Sequence, residues 1–204
     1  MMPCKVDEID LKTIKSLSED CRKSTTQIAK EAGISRPTAI ARIRSLAEKE
    51  IVDFGAKVRI ANVGFKMASL TLEADTSEAK QKNVEIMKTC PRVMQLVQTV
   101  EKPHYSALVC AEDSDTLLSA IECLRAVLNA RITSWQRAKP IIGDTFDLKI
   151  FLEKCELTPC GKKCGLCSSY QESECVGCPP TKDYRGPLLA TKPKSSSHTP
   201  MQGR

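Results

Sequence analysis

A chain of 204 residues, 41% of them hydrophobic, can bury one ordinary core or two small ones, which excludes disorder throughout. Aromatic residues make up only 4%, with Trp135 the single tryptophan, so a surface built to stack a run of unpaired bases is excluded as well. The formal charge of +6 leans toward anionic partners, and where the charges sit matters more than their sum.

The opening MMPCKVDEID has no apolar segment of a secretory signal. No apolar run approaches the ~18 residues of a membrane span. A cytoplasmic protein with no membrane partner is therefore expected. In a reducing compartment its eleven cysteines are metal ligands or free thiols rather than a disulfide framework. Cys4, Cys21, Cys90, Cys110 and Cys123 are scattered singly through periodic segments and read as small core or surface residues. The other six crowd between Cys155 and Cys178.

Residues 1–60 read as a helix-turn-helix domain. VDEIDLKTIKSLSED brings Ile9, Ile14 and Leu17 to one helical face, with Leu11 beside them and Asp7, Glu8 and Asp10 in the first turn. STTQIAKEAG reads as a short helix capped by Ser24 or Thr25 and stopped at Gly33. ISRPTAIARIRSLAEKE follows, with Ser35 as N-cap, Pro37 in the first turn, and Ile40, Ile43 and Leu46 as the expected inward stripe. Two helices joined by a short glycine-containing turn are the helix-turn-helix signature.

The third helix carries Arg36, Arg42 and Arg44 and no acid between Arg36 and Leu46. Arg36, Thr38 and Arg42 are expected on the outward face, near the end that such motifs push into the major groove. Arginine forks onto guanine O6 and N7, and threonine offers a hydroxyl and a methyl to base edges. Thr25, Thr26 and Ser45 are better placed for phosphates, which fix register without reading sequence. The plainer reading is a three-helix bundle with a solvated basic face. The Ser-Arg-Pro-Thr helix start directly after Ile-Ala-x-x-x-Gly-Ile favours double-stranded DNA.

Through its opening Asp-x-x-Asp, the SEDCRKS joint, the IAKEAGIS turn and the Arg-x-x-x-Leu close of helix three, this segment resembles the DNA-binding domain of the Lrp/AsnC (feast/famine) transcription regulators. The resemblance implies a winged helix-turn-helix and a transcription regulator rather than an enzyme. Glu50 departs from the family's usual glycine before Ile-Val, at the exit turn and away from the recognition face.

Past the strand-like VDFGAKVRIANVG the period changes to two, and residues 64–153 read as strand-helix-strand-strand-helix-strand. In KMASLTLEAD, Ala68, Leu70, Leu72 and Ala74 share one side. EKPH is a turn in which Pro103 extends neither neighbouring strand. SDTLLSAIECLRAVLN is an amphipathic helix presenting Leu117, Ile121, Leu124 and Leu128. In TFDLKIFLE, Phe146, Leu148, Ile150 and Leu152 alternate with polar partners. The order is that of a ferredoxin-like βαββαβ sandwich, giving an α+β chain overall. Apolar residues on both faces of VMQLVQTV point to a sheet that pairs with a second copy in a homodimer or larger homo-oligomer.

The family resemblance implies the same fold (the RAM-type domain) and the same role, with amino-acid effectors bound between subunits. The family's Gly-x-Tyr/Phe-Asp turn is replaced here by VEKPHYSA, of which Tyr105 alone is comparable, and this speaks against an amino-acid effector. His104, alone in the turn, reads as a solvated side chain.

Residues 154–186 form a cysteine-rich module with the spacing C-x4-C-x3-C-x2-C-x7-C-x2-C. Paired Cys-x2-Cys knuckles with Gly161, Gly165 and Gly177 beside them suit a metal, because thiolates must converge and glycine lets the backbone turn around the ion. The candidate ligands are Cys160, Cys164, Cys167, Cys175 and Cys178. The segment is similar to a small cysteine-rich module of archaeal and bacterial proteins. Zinc and an iron–sulfur cluster both fit, zinc through the two knuckles and a cluster through Cys-x3-Cys-x2-Cys with a remote fourth thiolate. CGKKCGLC also has the spacing of radical S-adenosylmethionine enzymes, but the short remainder of the chain cannot build their barrel. Residues 187–204 read as a disordered tail. The expected function is a sequence-specific DNA-binding regulator modulated by metal or redox state at these thiols. The competing reading is a metal or electron carrier in which the helix-turn-helix serves protein contacts.

Overall fold

The computed structural model describes residues 6–102, 104–147, 149 and 151–187. Cys4, Pro103, Leu148, Ile150 and the tail expected over 187–204, apart from Pro187, lie outside these residues. The chain divides into two compact units between Ala56 and Lys57.

The first unit holds α1 (Glu8–Glu19), α2 (Thr25–Ala32) and α3 (Arg36–Glu48). Each start is written locally. Asp7 and Asp10 form a reciprocal capping box on α1, and Ser24 and Gln27 form another on α2. Ser35 caps α3 through the Thr38 N–H, with proline in the first turn. Gly33 ends α2 at φ 71°, a left-handed conformation that costs glycine little.

The core of this unit differs from the expected stripes. Ala39 and Leu46 are the buried residues of α3, whereas Ile40 is 41% exposed. Position 40 turns outward because Ala39 fills the contact with its neighbours. On α1 the buried residues are Asp10, Thr13 and Ser16, and Leu11 is 58% exposed. Polar burial is tolerated there because each group is bonded, Thr13 to the Ile9 carbonyl and Ser16 to Glu31 at 2.6 Å. No strand accompanies the helices among the described residues of this unit, so the wing is not formed within it.

The second unit contains β1 (Lys57–Arg59), β2 (Lys66–Glu73), α4 (Ser77–Thr89), β3 (Val93–Gln98), β4 (Tyr105–Ala111), α5 (Ser114–Val127), β5 (Arg131–Ala138), β6 (Thr145–Asp147) and the short α6 (Ser168–Gln171). Its antiparallel sheet runs β3-β4-β2-β5, the ferredoxin-like order. Leu70, central in β2, sits opposite Ala107 on one side and Trp135 on the other. Ala68, Leu70, Leu72 and Ala74 face α4 and α5, where Met87, Leu117, Ile121 and Leu124 close the core. Asn83 of α4, 1% exposed, bonds the Asn129 backbone in both directions and holds α4 against the turn before β5.

A second apolar cluster of Ile60, Phe65, Met67 and Cys110, with Phe146 packed against it, is separate from that core. It is completed by a two-stranded ribbon in which Lys57, Val58 and Arg59 of β1 oppose Asp147, Phe146 and Thr145 of β6. The expected long last strand is thus the three-residue β6, and Leu152 is 83% exposed instead of inward. The cysteine-rich segment belongs to the same compact unit as the sandwich.

Candidate DNA-binding face and thiol chamber

The outward side of α3 carries Arg36, Pro37, Thr38, Ile40, Ala41 and Arg44, all exposed, with Ser45 half-buried. Arg36 reaches back from the start of α3 to the Thr25 hydroxyl at 3.4 Å, and Thr26 stands exposed in the first turn of α2. The Ser35 and Thr38 hydroxyls share a bond of 2.7 Å, so the cap orders one of the expected reading groups. Arg42 departs from its expected place. Its Nη1 bridges Asp7 at 2.6 Å and Asp10 at 3.1 Å, both of the α1 capping box, and its side chain is only 35% exposed. The opening Asp-x-x-Asp therefore does two things: it caps α1 and it ties α3 to that cap. Arg44, not Arg42, is the arginine facing outward in mid-helix.

Tyr105, the one residue comparable to the family's effector turn, is taken up by packing within its own domain. Tyr105 is 2% exposed and its hydroxyl donates to the Lys80 carbonyl at 3.3 Å. His104 is not simply solvated, since its Nδ1 accepts the Ala74 N–H at 3.3 Å.

The cysteine module is pinned to the sandwich by buried polar contacts. Arg92, just before β3, pairs with Glu112 after β4 at 2.6 Å, with side chains 8% and 4% exposed. Its second nitrogen, Nη2, donates to the Gly177 carbonyl at 2.6 Å. Burial opposes the charge on Arg92, but the Glu112 carboxylate outweighs it and holds the guanidinium protonated. Glu112 also accepts the Tyr184 hydroxyl at 2.7 Å, and Thr116 of α5 accepts the Val176 N–H at 3.2 Å. Within the module Cys155 and Thr181 form a parallel bridge, and Gly165 N–H donates to Asp183 at 2.8 Å. Gly177 adopts φ 86°, and a Cβ there would meet the Asp183 carbonyl oxygen at 3.0 Å.

Between the module and the α4–α5 side lies a cavity of about 700 Å³. All five candidate ligands, Cys160, Cys164, Cys167, Cys175 and Cys178, line it. Two further thiols do so as well: Cys90, which follows α4, and Cys123 of α5. These were expected to be isolated core or surface residues. The fold instead brings them to the module, and only their place on the face of α5 or at the end of α4 could have signalled it. The neighbouring Cys123 thiol, helped by the Thr158 hydroxyl at 3.2 Å from Cys160, lowers the Cys160 thiol to about 5 against the effect of burial. Cys160 and burial in turn push Cys123 upward. Burial likewise raises Cys178 and Cys175. Cys155, exposed, is not among the lining residues.

Among the described residues, no three His, Cys, Asp or Glu side chains are gathered closely enough to hold a metal ion. The donor set itself is chemically suited to zinc or iron–sulfur, being rich in soft thiols on turns that glycine permits. No described helix is long and apolar enough to cross a membrane.

An exposed, arginine-bearing second helix of a helix-turn-helix, joined in sequence to a ferredoxin-like domain, defines the class of DNA-binding regulators with a separate α/β domain. Residues 6–47 match the AsnC-type helix-turn-helix domain. The chain is similar to the HTH-type transcriptional regulator Ptr1 of Methanocaldococcus jannaschii, 31% identical over 55% of this chain and 76% of that one. It is likewise 31% identical to the HTH-type transcriptional regulator LrpA of Pyrococcus horikoshii, over 57% of this chain and 83% of that one. Its fold is similar to that of the leucine response regulatory protein LrpA of Mycobacterium tuberculosis, with a TM-score of 0.62 at 18% identity, covering 71% of this chain and all of that one. The chain belongs to the Lrp/AsnC family of helix-turn-helix transcription regulators. It is a DNA-binding regulator and not an enzyme.

Proposed function

We propose that this chain is a cytoplasmic, sequence-specific regulator in which the outward side of α3 enters the major groove of duplex DNA. Arg36, Thr38 and Arg44 read base edges, with Pro37 and Ser35 fixing the start of the helix. Thr25, Thr26 and Ser45 contact phosphates. Arg42 acts as a positioning residue that holds α3 on the α1 cap. The chain works as a homodimer or larger homo-oligomer through its ferredoxin-like domain. Cys160, Cys164, Cys167, Cys175 and Cys178 hold zinc or an iron–sulfur cluster that modulates assembly or DNA affinity. No amino-acid effector is invoked, since Tyr105 is committed to the core.

The observation carrying the reading is the exposed Arg36/Thr38/Arg44 edge on a helix that Ser35 and Arg42 hold in place. Selection of bound fragments from random duplex DNA with the full chain tests it. An enriched sequence is expected, and Arg44→Ala is expected to weaken binding to it by ~1–3 kcal/mol and relax preference at one position. Absence of any preferred duplex at low ionic strength defeats the reading.

A further inference from the structure

The outward side of α3 carries one large apolar side chain that neither the core nor the polar reading groups account for. Ile40 is 41% exposed, whereas Ala39 beside it is fully buried and fills the helix contact with Leu46. A single exposed isoleucine is ordinary on a protein surface, so exposure alone assigns nothing. Its neighbours give the position meaning. Arg36 stands four residues before Ile40 and Arg44 four residues after, so the three form one row along the helix, all of it exposed. No acid lies between Arg36 and Leu46, and the row therefore presents hydrocarbon between two cations. Four residues rise about 6 Å along a helix, close to two base-pair steps of about 3.4 Å, so the three side chains meet different bases. The row is also held in orientation. Ser35 caps the start of α3 through the Thr38 N–H, and Arg42 bridges Asp7 and Asp10 of the α1 cap. Rolling the helix to bury Ile40 would break that bridge.

We propose that Ile40 is a specificity-determining residue that packs on the C5-methyl group of a thymine lying between the bases approached by Arg36 and Arg44. The assignment rests on the reading of α3 as the helix that enters the major groove, and adds to it the base taken at the middle of the row. Of the four bases, thymine alone presents a methyl group in that groove, while cytosine presents its N4 amino donor. An aliphatic side chain gains by covering a methyl that otherwise faces water. Laid against the cytosine amino group it removes water and returns no hydrogen bond, which costs free energy. Ile40 thus separates the two pyrimidines without any polar contact of its own, and the arginines on either side fix where along the groove it does so.

Selection from random duplex DNA with the full chain supplies the preferred site. Each thymine of that site, with its symmetry mate where the site is palindromic, is then replaced in turn by deoxyuridine. The exchange removes the methyl group and leaves base pairing and the O4 acceptor intact. At one thymine position the parent is expected to bind the uracil duplex about fourfold more weakly for each methyl removed, the size of one buried carbon group. Ile40→Ala is expected to bind the thymine and uracil duplexes equally at that position. Its helix is secure, because the side chain is exposed and alanine is the better helix former. Ile40→Val, which keeps branched methyl groups, is expected to retain part of the difference. A parent indifferent to every thymine methyl overturns the proposal, and so does an Ile40→Ala chain that discriminates as strongly as the parent. An enriched duplex whose binding needs Arg44 but ignores thymine methyls defeats the role of Ile40 alone. Absence of any enriched duplex defeats the groove-binding reading and the role of Ile40 with it.

Discussion

Arg92 shows how much one side chain can be asked to do. It is buried, it neutralises a buried carboxylate, and it reaches the backbone of a segment distant in sequence. Removing it takes the guanidinium partner from a Glu112 carboxylate whose side chain is 4% exposed, leaving the Tyr184 hydroxyl as a donor to it. Arg92→Met is therefore expected to lower unfolding stability by ~3–5 kcal/mol, the usual cost of stranding one member of a buried pair. Chemical denaturation of the full chain checks it. Replacing Glu112 by Gln in the same protein is expected to recover part of the loss, since the charge that desolvation penalises is then gone.

Helix α1 sets a pH dependence. Asp7 titrates below the ordinary carboxylate range, first because the Asp10 N–H bonds its carboxylate, against the opposing effect of burial, and further because Arg42 bonds and attracts it. On acidification the unfolded chain takes up its proton at the ordinary value, before the folded chain does. The contribution is then complete above the ordinary value and is lost as pH falls through the lower folded one. Acid is thus expected to loosen the first unit, and Asp7→Asn, which keeps a capping oxygen but cannot titrate, should flatten that dependence. NMR signals of α1 followed through acid titration of the full chain measure it. The same helix marks what could be read in advance. Caps at Ser24 and Ser35 and the stop at Gly33 were legible because each acts within three or four residues of itself. Ile40 was not, because a spacing of three suits two neighbouring stripes and the buried one belongs to Ala39 and Leu46. The turn of Arg42 toward a cap 35 residues upstream, and the gathering of Cys90 and Cys123 with the module, are products of tertiary packing that no local pattern records.

For the molecule as a whole, binding through arginines and hydroxyls on phosphate-lined DNA predicts strong dependence on salt. Log affinity should fall linearly with log salt, with a slope of about −0.9 for each phosphate neutralised. Titrations at several salt concentrations test this, and a flat line contradicts a duplex-binding surface. The sheet order β3-β4-β2-β5 was legible from the alternation of periods two and 3.6, whereas the shortness of the last strand was not. That short strand has a practical consequence. Lys57–Arg59, the first residues of the second unit, have Thr145–Asp147 as their partners, and Arg59 reaches Asp144 at 2.5 Å. The entry and exit seams of the sandwich are therefore stitched to each other. A truncation meant to excise the cysteines must keep everything through Asp147, since an earlier cut would unravel the entrance along with the tail.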